Sequence, residues 1–360
     1  MKRVFVSDCE GPISKNDNAY ELTAKFVPKG DKVFSLISKY DDVLADTLRR
    51  PGYNAGDTLK LILPFLKASD ITDSNMQDFS ARNLTLITGT KESLKHIMNE
   101  AETFIVSTSY EHYIRALCQC VGLPFENAYC TRICIDKYSL TPKEKTSLKK
   151  IAKEIASMKM ITIPSGAKSL EDFSIEDQQT VSRLDEIFWK EIKSMKIGKI
   201  FSEVTPIGGE QKAEAIRNIT EKCRIPLSNV MYVGDSITDV QAFQLVREGD
   251  GLTVSFNGNG YAVKNAEVAV QSENNIVTAV LADVFLNHGK AKTIEMVNTW
   301  SPETIENSLA SPSILKNLLP VQSTKWPKVQ TVTPKNVEVL SKESSEFRKK
   351  VRGENFGKLG

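Results

Sequence analysis

The sequence lacks the features that mark membrane proteins and disulfide-rich secreted proteins. No apolar run reaches the roughly 18 residues that a membrane span needs. Met1 is followed by two basic residues and the short run VFV, not by a cleavable apolar segment. Six cysteines in 360 residues are too few for a disulfide scaffold. We therefore expect a cytoplasmic protein with reduced thiols and no membrane contact.

An excess of one charge is also missing. Lysine and arginine total 47 against 45 aspartate and glutamate, which gives a net charge of +2. A chain with this balance has no general field for nucleic acid or for an anionic membrane, so we expect neither partner. The hydrophobic content of 41% is sufficient for a globular protein of two or three domains.

Two cysteine pairs raise the hypothesis of a zinc-binding module. Cys118 and Cys120 lie in a helical pattern, and Cys130 and Cys134 lie in the apolar, strand-like run YCTRICI. Structural zinc sites favour C-x2-4-C turns. We therefore expect buried structural thiols at these positions.

Short apolar runs that end at a polar residue recur along the chain. Runs rich in valine and isoleucine are typical of buried strands, and four of them precede a polar group: KRVFVS before Asp8, TFIV before Ser107, NVMYV before Gly234-Asp235, and GLTVSF before Asn257. Helical patterns separate the runs. This alternation predicts an α/β fold with a Rossmann-like parallel sheet, in which ligands bind at the carboxyl ends of the strands.

Two helical segments interrupt the predicted core. A 3.6-residue apolar period over 15–81 indicates a helical cap. A second insertion, 141–199, has a capping box at Thr141-Pro142-Lys143-Glu144 and a further helix start at Ser174, which together predict a helical hairpin. The core then comprises the remaining segments 1–14, 82–140 and 200–290.

The C-terminal extension, 291–360, is polar and interrupted by proline. It ends in a basic tail from Arg348 to Lys358. We expect an appended helical segment followed by a solvated, poorly ordered tail.

Polar groups at the predicted strand ends and at one helix start can form a single site. Carboxylates that converge at a sheet edge repel each other unless a hard cation such as Mg²⁺ neutralises them. A bound phosphoryl group needs cationic and hydroxyl donors, which Lys212 and Ser107 can supply. Asp8 is then free to attack phosphorus, and Glu10 can move protons. The site predicted in this way consists of Asp8, Glu10, Ser107, Lys212, Asp235 and Asp239.

The same segments resemble the four motifs of the haloacid dehalogenase superfamily, and especially those of its phosphoserine-phosphatase-like hydrolases. The matching segments are VFVSDCEGP, FIVSTSYEHYIRALCQCVGLP, GGEQKAEAI and VMYVGDSITDVQAF. The resemblance implies Asp8 as nucleophile and Glu10 as acid and base, with the Glu10 backbone carbonyl as a metal ligand. It further implies a phosphate-binding role for Ser107, Lys212 and Asn257, and metal-site carboxylates at Asp8, Asp235 and Asp239.

The chain departs from the family pattern at two places. Glu10 stands where the family usually has aspartate, and Thr108-Ser109 replaces a Gly-Gly pair, so serine specificity is not transferred. We expect a Mg²⁺-dependent phosphatase that hydrolyses the phosphate monoester of a small metabolite through an aspartyl-phosphate. The alternatives are a phosphotransferase or mutase, and a non-catalytic regulatory or assembly subunit. Such a subunit would use the second insertion or the C-terminal extension to bind a protein partner.

Overall fold

A computed structural model describes residues 2–320 and 325–353, and in this part of the chain seven strands form one sheet. The strand order is β3-β2-β1-β4-β5-β6-β7, and every neighbouring pair is parallel except β6 and β7. The predicted α/β fold with a parallel sheet is confirmed. The strands are β1 (Val4–Ser7), β2 (Glu102–Tyr110), β3 (Ala128–Thr131), β4 (Val230–Gly234), β5 (Leu252–Phe256), β6 (Val268–Gln271) and β7 (Lys328–Thr331).

Helices cover both faces of the sheet and form the two insertions, which together are referred to as the cap. The α-helices in the described ranges are α1 (Asn18–Phe26), α2 (Gly30–Asp42), α3 (Thr58–Ala68), α4 (Asp73–Asn83), α5 (Thr90–Glu100), α6 (Glu111–Val121), α7 (Pro142–Ile155), α8 (Ile175–Glu186), α9 (Ile200–Glu203), α10 (Glu210–Cys223), α11 (Val240–Glu248), α12 (Gly260–Asn265), α13 (Ile276–His288), α14 (Lys290–Asn298), α15 (Pro302–Glu306), α16 (Pro312–Leu318) and α17 (Val337–Arg352). Two π-helical segments, Val43–Thr47 and Ile187–Ile192, extend α2 and α8.

Alternate residues of the central strands point to opposite sides of the sheet. Phe5 and Met231 face the layer that contains α5, α6 and α13, whereas Val6 and Tyr232 face the layer that contains α10 and α11. Because both faces are covered, the central strands carry apolar residues on both faces instead of alternating between apolar and polar residues. This explains why the runs were visible in the sequence.

The two insertions pack together into one helical cap. A single cluster of buried apolar residues includes side chains from α1–α4 and from α7 and α8. Within it, the rings of Tyr40 and Phe188 stack with their centroids 5.9 Å apart, and Arg50 forms an ion pair with Asp185 at 2.8 Å. Thr141 caps α7 as predicted, in a complete capping box with Glu144.

The C-terminal extension belongs to the core, which corrects one expectation from the sequence. Strand β7 pairs with β6, and Leu340 of α17 is buried against Val263 and Ala269. The prediction of a solvated tail starting at Arg348 is wrong for Arg348 and Arg352, which are 2% and 7% exposed on the last turns of α17. The part of the basic tail at 354–358 lies outside the described residues.

The cysteines are free thiols of two kinds. Four are buried, among them Cys118 and Cys130 as expected, but Cys120 and Cys134 are exposed, so the expectation is wrong for those two. Within the described ranges, no helix combines the length and the apolar character that crossing a membrane requires.

Candidate active site

The site lies where the strand order changes direction. The chain passes from β1 to β2 and β3 on one side, and β4 to β6 lie on the other side of β1. A crevice at such a switch point is the usual ligand site of parallel α/β sheets. Ser7 is in register with Ile105 of β2 and Val233 of β4. Asp8 therefore emerges between the ends of the strands that carry Ser107 and Asp235.

Asp8 is buried and is held from two sides. Its Oδ1 accepts a hydrogen bond of 2.6 Å from the N–H of Cys9, and its Oδ2 lies 2.6 Å from Nζ of Lys212. Lys212 belongs to the first turn of α10 and is completely buried. Burial alone would lower the pKa of Lys212, but Asp239 and Asp8 outweigh it and raise that pKa above its ordinary value. The lysine is therefore a permanent cation beside Asp8.

Asp239 fixes the position of this lysine. Its Oδ1 accepts hydrogen bonds from Lys212 Nζ at 2.7 Å and from the Tyr232 hydroxyl at 2.6 Å. Its Oδ2 accepts the N–H groups of Asp235 and Ser236, each at 2.9 Å. With the Ser236 hydroxyl at 3.4 Å from Oδ2, five donors hold a fully buried carboxylate, so Asp239 aligns Lys212 and ties the loop after β4 to the same point.

The carboxylates have the composition of a site for a hard cation. Asp8, Asp235 and Asp239 each offer an oxygen within 4.8 Å of the others, and they are the only such group of three ligating side chains in residues 2–320 and 325–353. The cysteines form no comparable group. Asp8 and Asp239 share the positive charge of Lys212, and carboxylate oxygen is the donor that Mg²⁺ prefers. These residues therefore fit Mg²⁺.

Gly11 leaves room for this cluster. Its φ is +110°, and a Cβ atom at this position would lie 1.9 Å from Oδ2 of Asp235. Only a residue without a side chain allows the turn after β1 to approach Asp235 so closely.

Glu10 is held by the cap. Its Oε1 accepts a hydrogen bond of 2.6 Å from the N–H of Asn18, in the first turn of α1. Burial raises the pKa of Glu10 to about 8, and the nearby Asp17 carboxylate acts in the same direction. Most Glu10 side chains therefore carry a proton at pH 7. A neutral carboxyl group beside the nucleophile can donate that proton.

The two remaining predicted phosphate ligands differ in placement. Ser107 is buried beside Asp8 and lines the same cavity. Asn257, by contrast, is not in the cavity wall. Its Nδ2 donates to the Ser272 carbonyl at 2.7 Å, and its Oδ1 accepts from the Ser272 N–H at 2.8 Å. In this position Asn257 joins the loops after β5 and β6, and its side chain is not directed at the cavity.

A cavity of about 100 Å³ lies between the sheet edge and the cap. Asp8, Glu10, Ser107 and Asp235 line it on the core side. The cap contributes both apolar and polar side chains, namely Phe34, Ser38, Asp41, Asp42, Thr58 and Leu59.

Two cavity residues were missed by the sequence interpretation. Arg348 and Arg352 of α17 line the cavity, and both donate to Oδ2 of Asp235. Their spacing of four residues, which continues one helix face from Ser344, was the available signal. It was overlooked because this face carries serine and arginine instead of apolar residues.

Comparison with known proteins places the chain in a family. A sequence-family model described as haloacid dehalogenase-like hydrolase matches residues 71–283. No curated protein matches the sequence.

Three solved structures resemble the chain to different degrees. The structure of a gene product from Archaeoglobus fulgidus superimposes with a TM-score of 0.81 at 24% identity, over 100% of this chain and 99% of that one, which shows a shared fold. A substrate-bound phosphoserine phosphatase complex has a TM-score of 0.45 at 14% identity, over 76% of this chain and 95% of that one. A phospho-aspartyl intermediate analogue of phosphoserine phosphatase has a TM-score of 0.41 at 13% identity, over 74% and 92%. The last two values are too low to support any argument.

Proposed function

The chain belongs to the haloacid dehalogenase-like hydrolases, and we propose that it is a phosphatase for the phosphate monoester of a small metabolite. The observation that carries the proposal is the arrangement around Asp8. One buried carboxylate has a permanent cation 2.6 Å away, and a second carboxyl group, that of Glu10, lines the same cavity.

In the first half of the reaction, an oxygen of Asp8 attacks phosphorus. The bond from Asp8 to phosphorus forms as the bond from phosphorus to the ester oxygen breaks. Glu10 gives its proton to the departing oxygen, which leaves as an alcohol. Lys212 and Ser107 stabilise the negative charge on the phosphoryl oxygens.

In the second half, water replaces Asp8 at phosphorus. Glu10, now a carboxylate, removes a proton from the attacking water, and the bond from Asp8 to phosphorus breaks. Inorganic phosphate leaves, and both carboxyl groups return to their starting state. Glu10 therefore acts first as an acid and then as a base.

We assign Asp8, Asp235 and the backbone carbonyl of Glu10 as the groups that would hold Mg²⁺. When bound, the ion would offset the negative charge of the carboxylates and polarise a phosphoryl oxygen. Asp239, whose oxygens already accept bonds from five donors, has the supporting role of aligning Lys212.

The cap supports a small substrate. Phe34 and Leu59 of the cap line the cavity opposite the sheet edge. The space between the cap and the sheet edge suits a small molecule. A closed cap also excludes water until the first half-reaction is complete.

The test is a panel of phosphate monoesters assayed for inorganic phosphate with and without Mg²⁺. We expect Mg²⁺-dependent release by the wild type and none above background by Asp8→Asn. Asp78→Asn, which changes an exposed aspartate of α4, is the matched control and keeps wild-type activity. Glu10→Gln lowers kcat by about 10²- to 10⁴-fold, because it cannot transfer a proton. Full activity in Asp8→Asn would show that the nucleophile is assigned incorrectly.

A second arm separates hydrolysis from transfer. If phosphate appears on an added alcohol and not in solution, the protein is a phosphotransferase. If no ester is turned over under any condition, the proposal of a phosphatase is wrong.

A further inference from the structure

Helix α17 brings two arginines into the catalytic cavity. Arg348 and Arg352 are four residues apart and therefore lie on the same helix face. Leu340 and Ser344 precede them on this face, and the Ser344 hydroxyl donates to the Gly258 carbonyl at 2.7 Å. The face is thus fixed against the core, and both guanidinium groups are directed toward the sheet edge.

Both arginines bind the carboxylate of Asp235. Nη1 of Arg348 donates to Oδ2 of Asp235 and, at 3.1 Å, to its backbone carbonyl. Nη1 of Arg352 lies 3.3 Å from the same Oδ2. One carboxylate oxygen therefore accepts hydrogen bonds from two cationic groups that are almost completely buried.

Arg352 also binds the chain that follows the nucleophile. Its Nε donates to the Lys15 carbonyl at 3.1 Å, and its Nη2 donates to the Asn16 carbonyl. The last turn of α17 is thereby attached to the segment that leads into the cap.

The other contacts of α17 are weaker. The buried apolar residues around it are Leu340, Val263 and Ala269. Its ion pairs, such as Lys328 with Glu343 and Lys350 with Glu273, involve exposed side chains, and pairs of this kind contribute little. Asp235 is therefore a principal partner of the last two turns of the helix.

We propose that Arg348 and the divalent cation compete for the carboxylate of Asp235, so that α17 sets the metal affinity of the site. The inference rests on the metal site of the proposed function. A dipositive ion at Asp235 repels two guanidinium groups and uses the oxygen to which they donate. By thermodynamic linkage, if the docked α17 weakens metal binding, the bound metal weakens the docking of α17 by the same factor.

The first test measures Mn²⁺ binding by calorimetry with the full chain and without substrate. We expect Arg348→Met to bind Mn²⁺ about tenfold more tightly than the wild type, which is within the usual range of coupling between sites. Lys342→Met, which changes an exposed lysine of the same helix, is the control and leaves the affinity unchanged. Unchanged binding by Arg348→Met overturns the proposal, because it would show that the arginine does not affect the metal. Weaker binding overturns it as well, because it would show that the arginine holds Asp235 in position for the metal.

The second test uses the wild type and therefore does not depend on the folding of a variant. Amide hydrogen exchange of residues 337–352 is compared with and without Mg²⁺, and we expect faster exchange with the ion. Asp235→Asn should abolish the difference. Equal or slower exchange in the wild type overturns the proposal.

The two proposals can fail separately. If neither the wild type nor Arg348→Met binds Mn²⁺, the competition is refuted, whereas phosphate release and its loss in Asp8→Asn still decide the catalytic proposal.

Discussion

Nζ of Lys212 lies 2.6 Å from Oδ2 of Asp8, and the lysine has no contact with solvent. A buried pair of this kind contributes little by itself, because desolvation of two charges offsets most of their attraction. Removing one partner has a large effect, since the other charge then remains buried without compensation. A catalytic role therefore explains the buried position of Lys212 better than a contribution to stability does.

Replacing Lys212 with methionine should both destabilise and inactivate the protein. The change leaves Asp8 and Asp239 buried without their shared cation, and losses of about 3–5 kcal/mol are typical of such a change. Urea unfolding measures the first effect and phosphate release the second. Lys222→Met, which changes an exposed lysine at the end of the same helix, should reduce neither stability nor phosphate release. A stable and active Lys212→Met protein would contradict the assigned role.

Replacing Gly11 with alanine should impair the site beyond the effect of backbone strain. Gly11 and Gly52 both have positive φ, at +110° and +74°, so alanine is strained at either position by about 1–3 kcal/mol. Only at Gly11 would the new Cβ meet Asp235, whereas nothing lies within 4 Å at Gly52. We expect Gly52→Ala to keep phosphate release and Gly11→Ala to lose it. Equal activity of the two variants would show that Asp235 tolerates displacement.

Stability should fall with rising pH in part because of Asp41. This buried carboxyl group accepts hydrogen bonds from the Tyr53 hydroxyl at 2.7 Å and the Gly56 N–H at 2.8 Å. Burial nevertheless raises the pKa of Asp41 to about 7. Between about pH 4 and pH 7 the folded protein keeps a proton that the unfolded chain has lost, so the stabilising contribution present below pH 4 disappears as the pH passes 7.

The variant Asp41→Asn cannot titrate, and it isolates this contribution. Between pH 5 and pH 8 its free energy of unfolding should decrease by on the order of 1 kcal/mol less than that of the wild type. Urea unfolding at both pH values provides the comparison, with Asp78→Asn as the exposed control. The assignment is wrong if wild type and Asp41→Asn show the same pH dependence.

The strands and the position of Asp8 at the sheet edge could be predicted because local chemistry determines them. Strands β1 and β4 are covered on both faces and therefore carry apolar residues on both, and a parallel sheet brings the residues that follow them to one edge. Asp8 and Asp235 were found in this way. Asn257 also follows a strand, but the contacts of its side chain with Ser272 depend on a loop that no strand pattern describes.

Helix α17 could not be predicted in the same way. Its buried residues are Leu340, Ser341, Ser344, Arg348 and Arg352, so four of the five are polar or charged and do not mark a buried face in the sequence. This face contacts a charged sheet edge, which is formed by residues far away in the sequence. The packing of the two insertions into one cap has a similar origin, since Tyr40 and Phe188 meet only in the folded protein.

The contact between Arg352 and Asn16 spans 336 positions of the chain. Contacts of such long range form late and slow the folding of a protein. During synthesis, the segment that carries Asp8 leaves the ribosome long before α17 exists. A nascent chain that has completed the central sheet therefore still lacks both arginines, and the charge balance around Asp235 is reached only after α17 has been synthesised.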